Sequence, residues 1–282
     1  MNTIDLHMHT CYSDGKYTPS ELLLKAAELG LKTVAITDHD NANGARQAVP
    51  LARAMGMELV MGIEITTTWP SLGLPPGETD VDLLGYFVDL DAPAFKEMEK
   101  ARTDDIFQRL TDCCAYLSAA GFPLTLADVL AKNARFPNVT ATIFAAQDKG
   151  YAASWEAGHR LVMESWRKVR PARDAEIGAM IECIHAAGGV AVLAHPAAIA
   201  CPQGLIQALQ VAELAGMGLD GIEVYHHRND EFTRRQLLAL AQQFNLAVSG
   251  GSDEHGWWKS RLGTQPVTAE MLEALRSRAK RR

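Results

Sequence analysis

Seven short apolar segments, rich in β-branched residues, alternate along the chain with longer stretches of helical periodicity. The segments are residues 4–8, 33–37, 58–65, 81–88, 190–194, 221–225 and 246–250. The helical patterns over 19–30 and 175–189 both end at glycine, as helix C-termini prefer. Buried strands that alternate with helices predict an α/β fold built on a parallel sheet.

One long stretch interrupts this alternation, because it carries helical patterns and no convincing strand. The patterns cover residues 93–121, 125–134, 138–149 and 154–168. Thr125 is the expected N-cap of the second pattern. We therefore expect residues 1–93 and 171–282 to form the core domain, and residues 94–170 to form a helical insertion over one face of it.

Ionisable side chains of metal-binding type follow or end six of the seven segments. They are His7 and His9, then Asp38, His39 and Asp40, then Glu64, His195, His226 and His227, and finally Asp253 and His255. Because parallel strands end at one face of the sheet, we expect these groups to converge there. His7 and His9, two residues apart in an extended segment, project to the same side.

Imidazole and carboxylate ligands suit Mn²⁺, Zn²⁺ or Fe²⁺. A set this large exceeds what one ion coordinates, so we expect two or three metals bridged by a carboxylate. The five cysteines show no metal-binding spacing, so we expect no thiolate ligand. Each motif taken alone also has a structural interpretation, such as a turn or a helix cap; the whole constellation is what predicts the site.

Charge and hydropathy argue against several classes of protein. The net charge of −7 opposes broad attachment to long nucleic acid. No apolar run approaches the ~20 residues that span a bilayer. Asp5 and His7 stand where a signal peptide needs an apolar segment. We therefore expect a cytoplasmic protein with no membrane association, and we predict no protein partner.

Five motifs, in order, resemble the PHP family (polymerase and histidinol phosphatase). They are D-L-H-M-H-T-C-Y-S-D-G, I-T-D-H-D, G-I-E, L-A-H-P and G-G-S-D-E-H. The resemblance implies a distorted (β/α)₇ barrel with a multinuclear metal centre that hydrolyses phosphate esters. The insertion and the terminal S-D-E-H resemble the branch that removes the 3′-phosphate of nucleoside 3′,5′-bisphosphates such as pAp. Some members of that branch also shorten RNA from its 5′ end.

The same resemblance implies a ligand set in three groups. The groups are His7, His9, Glu64 and Asp253; Asp14, His39 and His255; and Glu64 with His195. Asp38 and Asp40 flank a ligand and are expected to orient it, and Asp40 is also a candidate proton carrier. Relatives often carry histidine where this chain has Asp82, so the third metal depends on that carboxylate.

A bisphosphate needs a second anion site beyond the metals, and the planar fork of arginine suits phosphate. The insertion supplies Arg135, Lys168 and Arg170, of which Arg135 lies in a helix-breaking loop. His226 at the rim is the candidate acid for the leaving oxygen, and His227 is a neighbouring substrate contact or alternative acid.

The sequence favours a small nucleotide as substrate and Mn²⁺ as the metal, with Zn²⁺ or Fe²⁺ as alternatives. A 5′-3′ exoribonuclease acting on short RNA stays open, because Trp155, Trp166, Trp257 and Trp258 offer stacking surfaces. A histidinol-phosphate phosphatase is a third enzymatic hypothesis. A scaffold module stabilised by metals, without turnover, is the non-enzymatic one.

Overall fold

The computed structural model describes residues 3–73, 80–169, 175–199 and 205–280. Two residues with sequence-based expectations, Arg170 and Cys201, lie outside these ranges. Within them, seven strands form one sheet in chain order. The strands are β1 (Ile4–Asp5), β2 (Thr33–Ile36), β3 (Glu58–Thr68), β4 (Asp80–Tyr86), β5 (Val190–Leu193), β6 (Gly221–Tyr225) and β7 (Ala247–Gly250). Every predicted strand is therefore found, although β1 is shorter and β3 is longer than expected.

The first and last strands approach each other just beyond their ends and nearly close the sheet into a barrel. The His9 amide donates to the Glu254 carbonyl at 2.9 Å, and the Asp253 amide donates to the His7 carbonyl at 2.9 Å. Gly251 permits this approach, because a Cβ there would overlap the backbone of His7. The predicted seven-stranded distorted barrel is confirmed.

The prediction of an all-parallel sheet was wrong at one strand. β4 runs antiparallel to both neighbours, with Glu64 paired to Leu84 and Leu83 paired to Leu193. The cause lies in the β3–β4 connection, which is too short to hold the crossover that a parallel strand requires. Asp82, near the start of β4, therefore lies at the edge where the parallel strands end.

Ten helices surround or extend this sheet within the described ranges. They are α1 (Pro19–Glu28), α2 (Asn43–Ala54), α3 (Pro93–Ala119), α4 (Leu126–Leu130), α5 (Val139–Asp148), α6 (Trp155–Lys168), α7 (Ile177–Ala186), α8 (Ala208–Gly216), α9 (Glu231–Gln243) and α10 (Ala269–Ala279). Among the helices described, none combines the length and the hydropathy that crossing a bilayer demands.

Both faces of the sheet are buried. Neighbouring residues on β4 point to opposite faces: Leu84 packs in one apolar cluster with Leu6 and Val192, while Leu83 packs in a larger one with Leu193. The larger cluster joins the strands to the surrounding helices. This explains why the strands read as continuous apolar runs rather than as alternating patterns.

Helices α3 to α6 carry a small apolar core of their own, which includes Cys114, Leu117 and Val129. As predicted, Thr125 caps α4, and Asp128 completes a capping box. The loop after α4 reaches back to the barrel, where the Asn133 side-chain amide donates to the carbonyls of Cys11 and Ser13 at 3.0 and 2.9 Å. The insertion is thereby fixed beside the D-L-H-M-H segment.

Candidate metal centre and substrate cavities

The D-L-H-M-H segment brings two histidines to the strand ends, where both face the same two carboxylates. The Nε2 atoms of His7 and His9 each lie 3.2 Å from Glu64 Oε2. The same nitrogens lie 3.5 and 3.3 Å from Asp253 Oδ1. The structure thus places the four members of the first predicted group together, which makes them one candidate metal site.

The second predicted group also assembles, around His9. His255 Nε2 lies 3.1 Å from Asp14 Oδ2, and His9 Nδ1 lies 3.7 Å from Asp14 Oδ1. The His9 ring lies 4.8 Å from that of His39 and 4.2 Å from that of His255, centre to centre. These four residues offer ligand atoms within 4.8 Å of one another, which suits a second cation.

The third group is built on Glu64 and includes the carboxylate that replaces the expected histidine. His195 Nε2 lies 2.9 Å from Glu64 Oε1 and 3.6 Å from Asp82 Oδ2. His39, Glu64 and Asp82 also offer ligand atoms within 4.8 Å of one another. Asp82 therefore faces the other candidate ligands. Together, the three groups form what we call the cluster: His7, His9, Asp14, His39, Glu64, Asp82, His195, Asp253 and His255.

The donor set fits divalent cations. His9 is buried; its Nε2 lies close to Glu64 and Asp253 but is not directed at either as a hydrogen bond requires, and neither of its ring nitrogens has a hydrogen-bond partner among the described residues. Burial would lower the pKa of His39 and of His195, but Glu64 and the carboxylates around it together outweigh burial, and both pKa values rise to about 9. Burial would raise the pKa of Glu64, yet His39 and His7 hold it well below its usual range. Cations can take the place of these protons, and nitrogen and oxygen donors suit Mn²⁺, Zn²⁺ or Fe²⁺.

Glu223 orients two candidate ligands. Its Oε1 lies 2.9 Å from His7 Nδ1, and its Oε2 accepts a hydrogen bond from the His195 amide at 2.7 Å. A carboxylate on the far nitrogen of a ligating histidine fixes the ring and raises its basicity. The sequence signal was available, since Glu223 is a carboxylate inside the apolar strand G-I-E-V-Y.

Asp38 holds a loop in place rather than facing the cluster. Its carboxylate accepts hydrogen bonds from the Thr10 amide, the Thr10 hydroxyl and the Ser13 hydroxyl, at 2.7, 2.6 and 2.7 Å. These bonds fix the turn that presents Asp14. These hydrogen bonds hold the turn before Asp14 and do not involve the neighbouring His39, which we expected Asp38 to orient.

Asp40 joins the cluster to the insertion. Its Oδ1 accepts hydrogen bonds from the Arg102 Nε at 3.0 Å and from the Thr66 amide at 3.2 Å. The backbone φ angles of Asp40, His195 and Asp253 are 57°, 25° and 53°, values that residues other than glycine rarely adopt. Backbone strain of this kind, costing about 1–3 kcal/mol per residue, concentrates at functional sites.

His226 is buried beneath the cluster and not at the rim where we expected it. Its Nδ1 accepts a hydrogen bond from the Arg228 amide at 3.2 Å, which leaves Nε2 to donate to Asp253 Oδ2, also at 3.2 Å. His227 is half-buried beside it, with ring centres 4.2 Å apart. Burial first, and then His226, lowers the pKa of His227 to about 4.

Within the described ranges, we consider three cavities that adjoin the candidate metal cluster. The first, the mouth cavity, has a volume of about 290 Å³ and is lined by candidate ligands together with Arg228 and Ile199. The exposed Arg228 is a cation at the entrance that the sequence analysis did not identify.

The second, the α3 cavity, has a volume of about 190 Å³ and lies between His39 and helices α3 and α6. Its walls include Phe136, Trp166, Arg102 and Arg109. The Arg109 guanidinium carbon lies 3.8 Å from the centre of the Trp166 ring, and its Nη2 donates to the Trp166 carbonyl at 2.9 Å. This wall combines aromatic surface with cationic groups.

The third, the Trp257 cavity, has a volume of about 220 Å³ and lies on the other side of Asp14. Arg135 lines it together with Lys16 and Trp257. Lys168 is exposed at the end of α6 and lines none of the three cavities described here. The structure thus brings Arg135, but not Lys168, beside the cluster.

Sequence reasoning missed the arginines of the α3 cavity. Arg102 and Arg109 are spaced at seven residues on a long helix whose charged residues resemble a solvated face. Their positions depend on how α3 folds over the barrel, which the local pattern does not encode. The helical spacing was the one available signal, because it places both arginines on the same face.

Comparison with known proteins agrees with this geometry. A family model described as the PHP domain matches residues 5–213. The 5′-3′ exoribonuclease of Haemophilus influenzae is 29% identical over 265 residues, which cover 90% of this chain and 91% of that protein. The 5′-3′ exoribonuclease Rnm of Escherichia coli is 32% identical over 266 residues, 89% of this chain and 84% of the relative. The 3′,5′-nucleoside bisphosphate phosphatase of Chromobacterium violaceum is 27% identical over 258 residues, with 90% and 88% covered.

Solved structures show the same architecture. A metal-dependent phosphoesterase from Bifidobacterium adolescentis superposes with a TM-score of 0.85 at 29% identity, covering 98% of this chain and 96% of that one. An amidohydrolase from Chromobacterium violaceum with bound sulfate superposes with a TM-score of 0.79 at 25% identity, with the same shares covered. The chain therefore belongs to the PHP domain family.

Proposed function

We propose that this PHP phosphoesterase is a phosphatase that removes the 3′-phosphate of nucleoside 3′,5′-bisphosphates such as pAp and leaves the 5′-monophosphate. The observation that carries the proposal is the α3 cavity, which starts at His39 in the cluster and continues under α3. At about 190 Å³ it is smaller than the roughly 300–1,000 Å³ typical of drug-sized sites, which argues against a nucleic-acid duplex as the ligand.

In this proposal the base lies against Phe136 and Trp166, and the 5′-phosphate binds at the arginine-lined wall. Guanidinium groups bind phosphate through paired hydrogen bonds, and aromatic faces stack on any base. The 3′-phosphate then reaches the cluster. The relative from C. violaceum carries the name of this activity, which supports the assignment.

The metal ligands we propose are those that the sequence indicated, with Asp82 added: His7, His9, Asp14, His39, Glu64, Asp82, His195, Asp253 and His255. Two or three divalent cations, with Mn²⁺ preferred, would activate water and offset the charge of the phosphate when bound. Glu223 and His226 orient the ligands His7 and Asp253 through the hydrogen bonds described above.

Hydrolysis adds a water oxygen to phosphorus and breaks the bond from phosphorus to the ribose 3′-oxygen, which needs a proton as it leaves. We assign this transfer to Asp40, which lines the α3 cavity next to His39: its carboxylate would take up the proton that the attacking water gives up and deliver it to the 3′-oxygen. Arg102 holds the Asp40 carboxylate at 3.0 Å and keeps it in place. His226, buried against Asp253, positions this ligand and does not face the cavity.

A 5′-3′ exoribonuclease is the second candidate function, and the names of two relatives favour it. Its chemistry is closely related, because release of a 5′-mononucleotide from the 5′ end of RNA breaks the same 3′-oxygen–phosphorus bond. The two functions differ only in what the scissile phosphate carries on its other side.

The test is release of phosphate from pAp by the Mn²⁺-loaded protein. AMP, 3′-AMP, histidinol phosphate and a 5′-phosphorylated oligoribonucleotide are assayed in parallel. We expect pAp to be the best substrate, with AMP as the product. The His9→Ala variant should lose at least about 100-fold in kcat/KM, because even a residue that only orients a ligand costs about 10–100-fold.

His159→Ala is the matched control, since His159 is exposed on α6. Its activity should equal that of the unchanged protein. Preference for histidinol phosphate, or stepwise shortening of RNA without turnover of pAp, would replace the proposal with the corresponding alternative. Bound metal without turnover of any ester would leave the scaffold hypothesis.

A further inference from the structure

The Trp257 cavity is not used by a mononucleotide in the α3 cavity, yet it shares a wall with it. Both cavities are lined by Ser13, Asp14, Asn138 and Thr140. Since Asp14 belongs to the candidate metal cluster, the two cavities meet at the cluster and extend from it on different sides. A ligand whose phosphate lies at the cluster therefore has two cavities within reach.

An anchored aromatic pair forms one wall of this cavity. The indole Nε1 of Trp257 donates to the Asp14 carbonyl at 2.6 Å, which fixes the ring beside the cluster. The Phe144 ring on α5 lies 4.8 Å from it, centre to centre. Trp257 is nevertheless 37% exposed and Phe144 is half-buried. Large aromatic faces that are held in place but open to solvent suit stacking by a base.

Cations line the same cavity as these rings. Lys16, Lys132 and Arg135 all line the cavity, and all three are exposed. Lys132 also pairs with Asp148 across the surface. This local group contrasts with the net charge of −7 of the whole chain. Exposed basic groups and aromatic rings in one cavity match the two surfaces of a nucleotide, its phosphate and its base.

We propose that the Trp257 cavity binds the nucleotide on the 3′ side of the scissile phosphate in short single-stranded RNA. Its base stacks on Phe144 and Trp257, and its phosphate contacts Arg135 and Lys16. This inference rests on the proposed binding of a nucleoside in the α3 cavity. It adds a second nucleotide subsite, so that pAp fills one cavity and a dinucleotide fills both.

The reaction balances in the same way for both ligands. Water adds to phosphorus, and the bond to the ribose 3′-oxygen of the first nucleotide breaks. That oxygen takes up a proton and leaves as part of a 5′-mononucleotide. The phosphate stays on the second nucleoside as a new 5′-phosphate, and it is released as inorganic phosphate when no second nucleoside is present.

The experiment measures binding, so that it does not depend on turnover. The full-length Mn²⁺-loaded protein is titrated calorimetrically with AMP and with a 5′-phosphorylated diadenylate whose internal linkage is a hydrolysis-resistant phosphorothioate. Stacking of one base contributes about 1–3 kcal/mol, so the dinucleotide should bind about 5- to 150-fold more tightly than AMP.

The Phe144→Ala and Arg135→Gln variants should each remove most of that preference, while the Kd for AMP changes by less than about twofold. Phe232→Ala and Arg235→Gln are the matched controls, because both residues are exposed on α9. They should retain the preference for the dinucleotide. Equal binding of AMP and dinucleotide by the unchanged protein would overturn the proposal, as would a parallel loss for both ligands in the variants.

Tryptophan fluorescence gives a second measurement should Phe144→Ala fail to fold. The dinucleotide should quench the unchanged protein beyond the level reached with AMP, and Trp257→Phe should remove this additional quenching. Its persistence in Trp257→Phe would place the second base elsewhere. Failure of the proposed function is recognised separately, as absence of phosphate release from pAp.

Discussion

Glu64 lies between 2.9 and 3.4 Å from the Nε2 atoms of four histidines, His7, His9, His39 and His195. A buried carboxylate with so many imidazoles around it can bridge cations, since its two oxygens face different partners. Burial, and then the negative charge of Glu64, raise the pKa of Asp82, because the two carboxylates repel each other at this short range. Binding of cations relieves this repulsion.

Glu223→Gln tests whether Glu223, which contacts the candidate ligands His7 and His195, contributes to metal affinity. Gln retains the approximate shape but loses the charge, and its amide nitrogen cannot accept from either partner that Glu223 binds. We expect the affinity for Mn²⁺ to fall by about 10–100-fold, the range found for residues that orient ligands. The measurement is a titration of the metal-free protein with Mn²⁺. Glu182→Gln, exposed on α7, should leave the affinity unchanged, and equal affinities in both variants would contradict the assignment.

At the level of helices and strands, the sequence predicts the positions of the candidate ligands at the strand ends better than it predicts the direction of each strand in the sheet. Buried strands have the same composition in either direction, so the antiparallel direction of β4 could not be predicted from its residues. The direction has a consequence for the site, because it carries Asp82 to the shared edge. By contrast, the strand-end positions of His195 and Asp253 were predictable, since the β-branched runs before them are short and clearly bounded.

The contacts between α3 and α6 could not be predicted either, because they join residues about sixty positions apart. Arg109 Nε donates to the Val169 carbonyl at 3.1 Å, and its guanidinium covers the Trp166 ring. A local helical pattern contains no information on such a partner. The α3 cavity, which we propose binds the substrate, therefore depends on tertiary packing, whereas the candidate metal ligands follow from local motifs.

Arg109→Lys tests whether the contact between Arg109 and Trp166 in the α3 cavity contributes to substrate binding. Lysine cannot reproduce the planar fork or the stacking of guanidinium on indole. We expect KM for pAp to rise by about 10-fold or more, equivalent to ~1.4 kcal/mol, with the affinity for Mn²⁺ unchanged. The measurement is steady-state kinetics with a parallel metal titration. Arg53→Lys, exposed on α2, is the control; a variant that lost metal affinity and KM together would indicate general damage to the fold.

Across the whole molecule, the candidate ligands come from both ends of the chain, and the insertion closes one side of them. His7 and Asp253 meet only because the first and last strands approach each other. The stability of the barrel and the charge state of the cluster are therefore coupled, since repulsion or attraction among the ligands acts directly between β1 and β7.

The pH dependence of the metal-free protein follows from this coupling. Burial alone would lower the pKa of His255, but Asp14 and Asp253 outweigh it and raise the pKa from 6.5 to about 10. His39 and His195 rise to about 9. Because the folded state holds these protons more tightly than the unfolded chain, their stabilisation is complete below pH 6.5 and is lost as the pH rises through 9 and 10.

We therefore expect the free energy of unfolding of the metal-free protein to fall steadily between about pH 6.5 and pH 10. The Mn²⁺-loaded protein should lose less over the same range, because imidazoles that bind a metal are already neutral. Urea unfolding after dialysis against chelator, repeated with Mn²⁺ present, measures both curves. A metal-free protein whose stability stayed constant or rose with pH would show that these histidines are not protonated in the folded cluster.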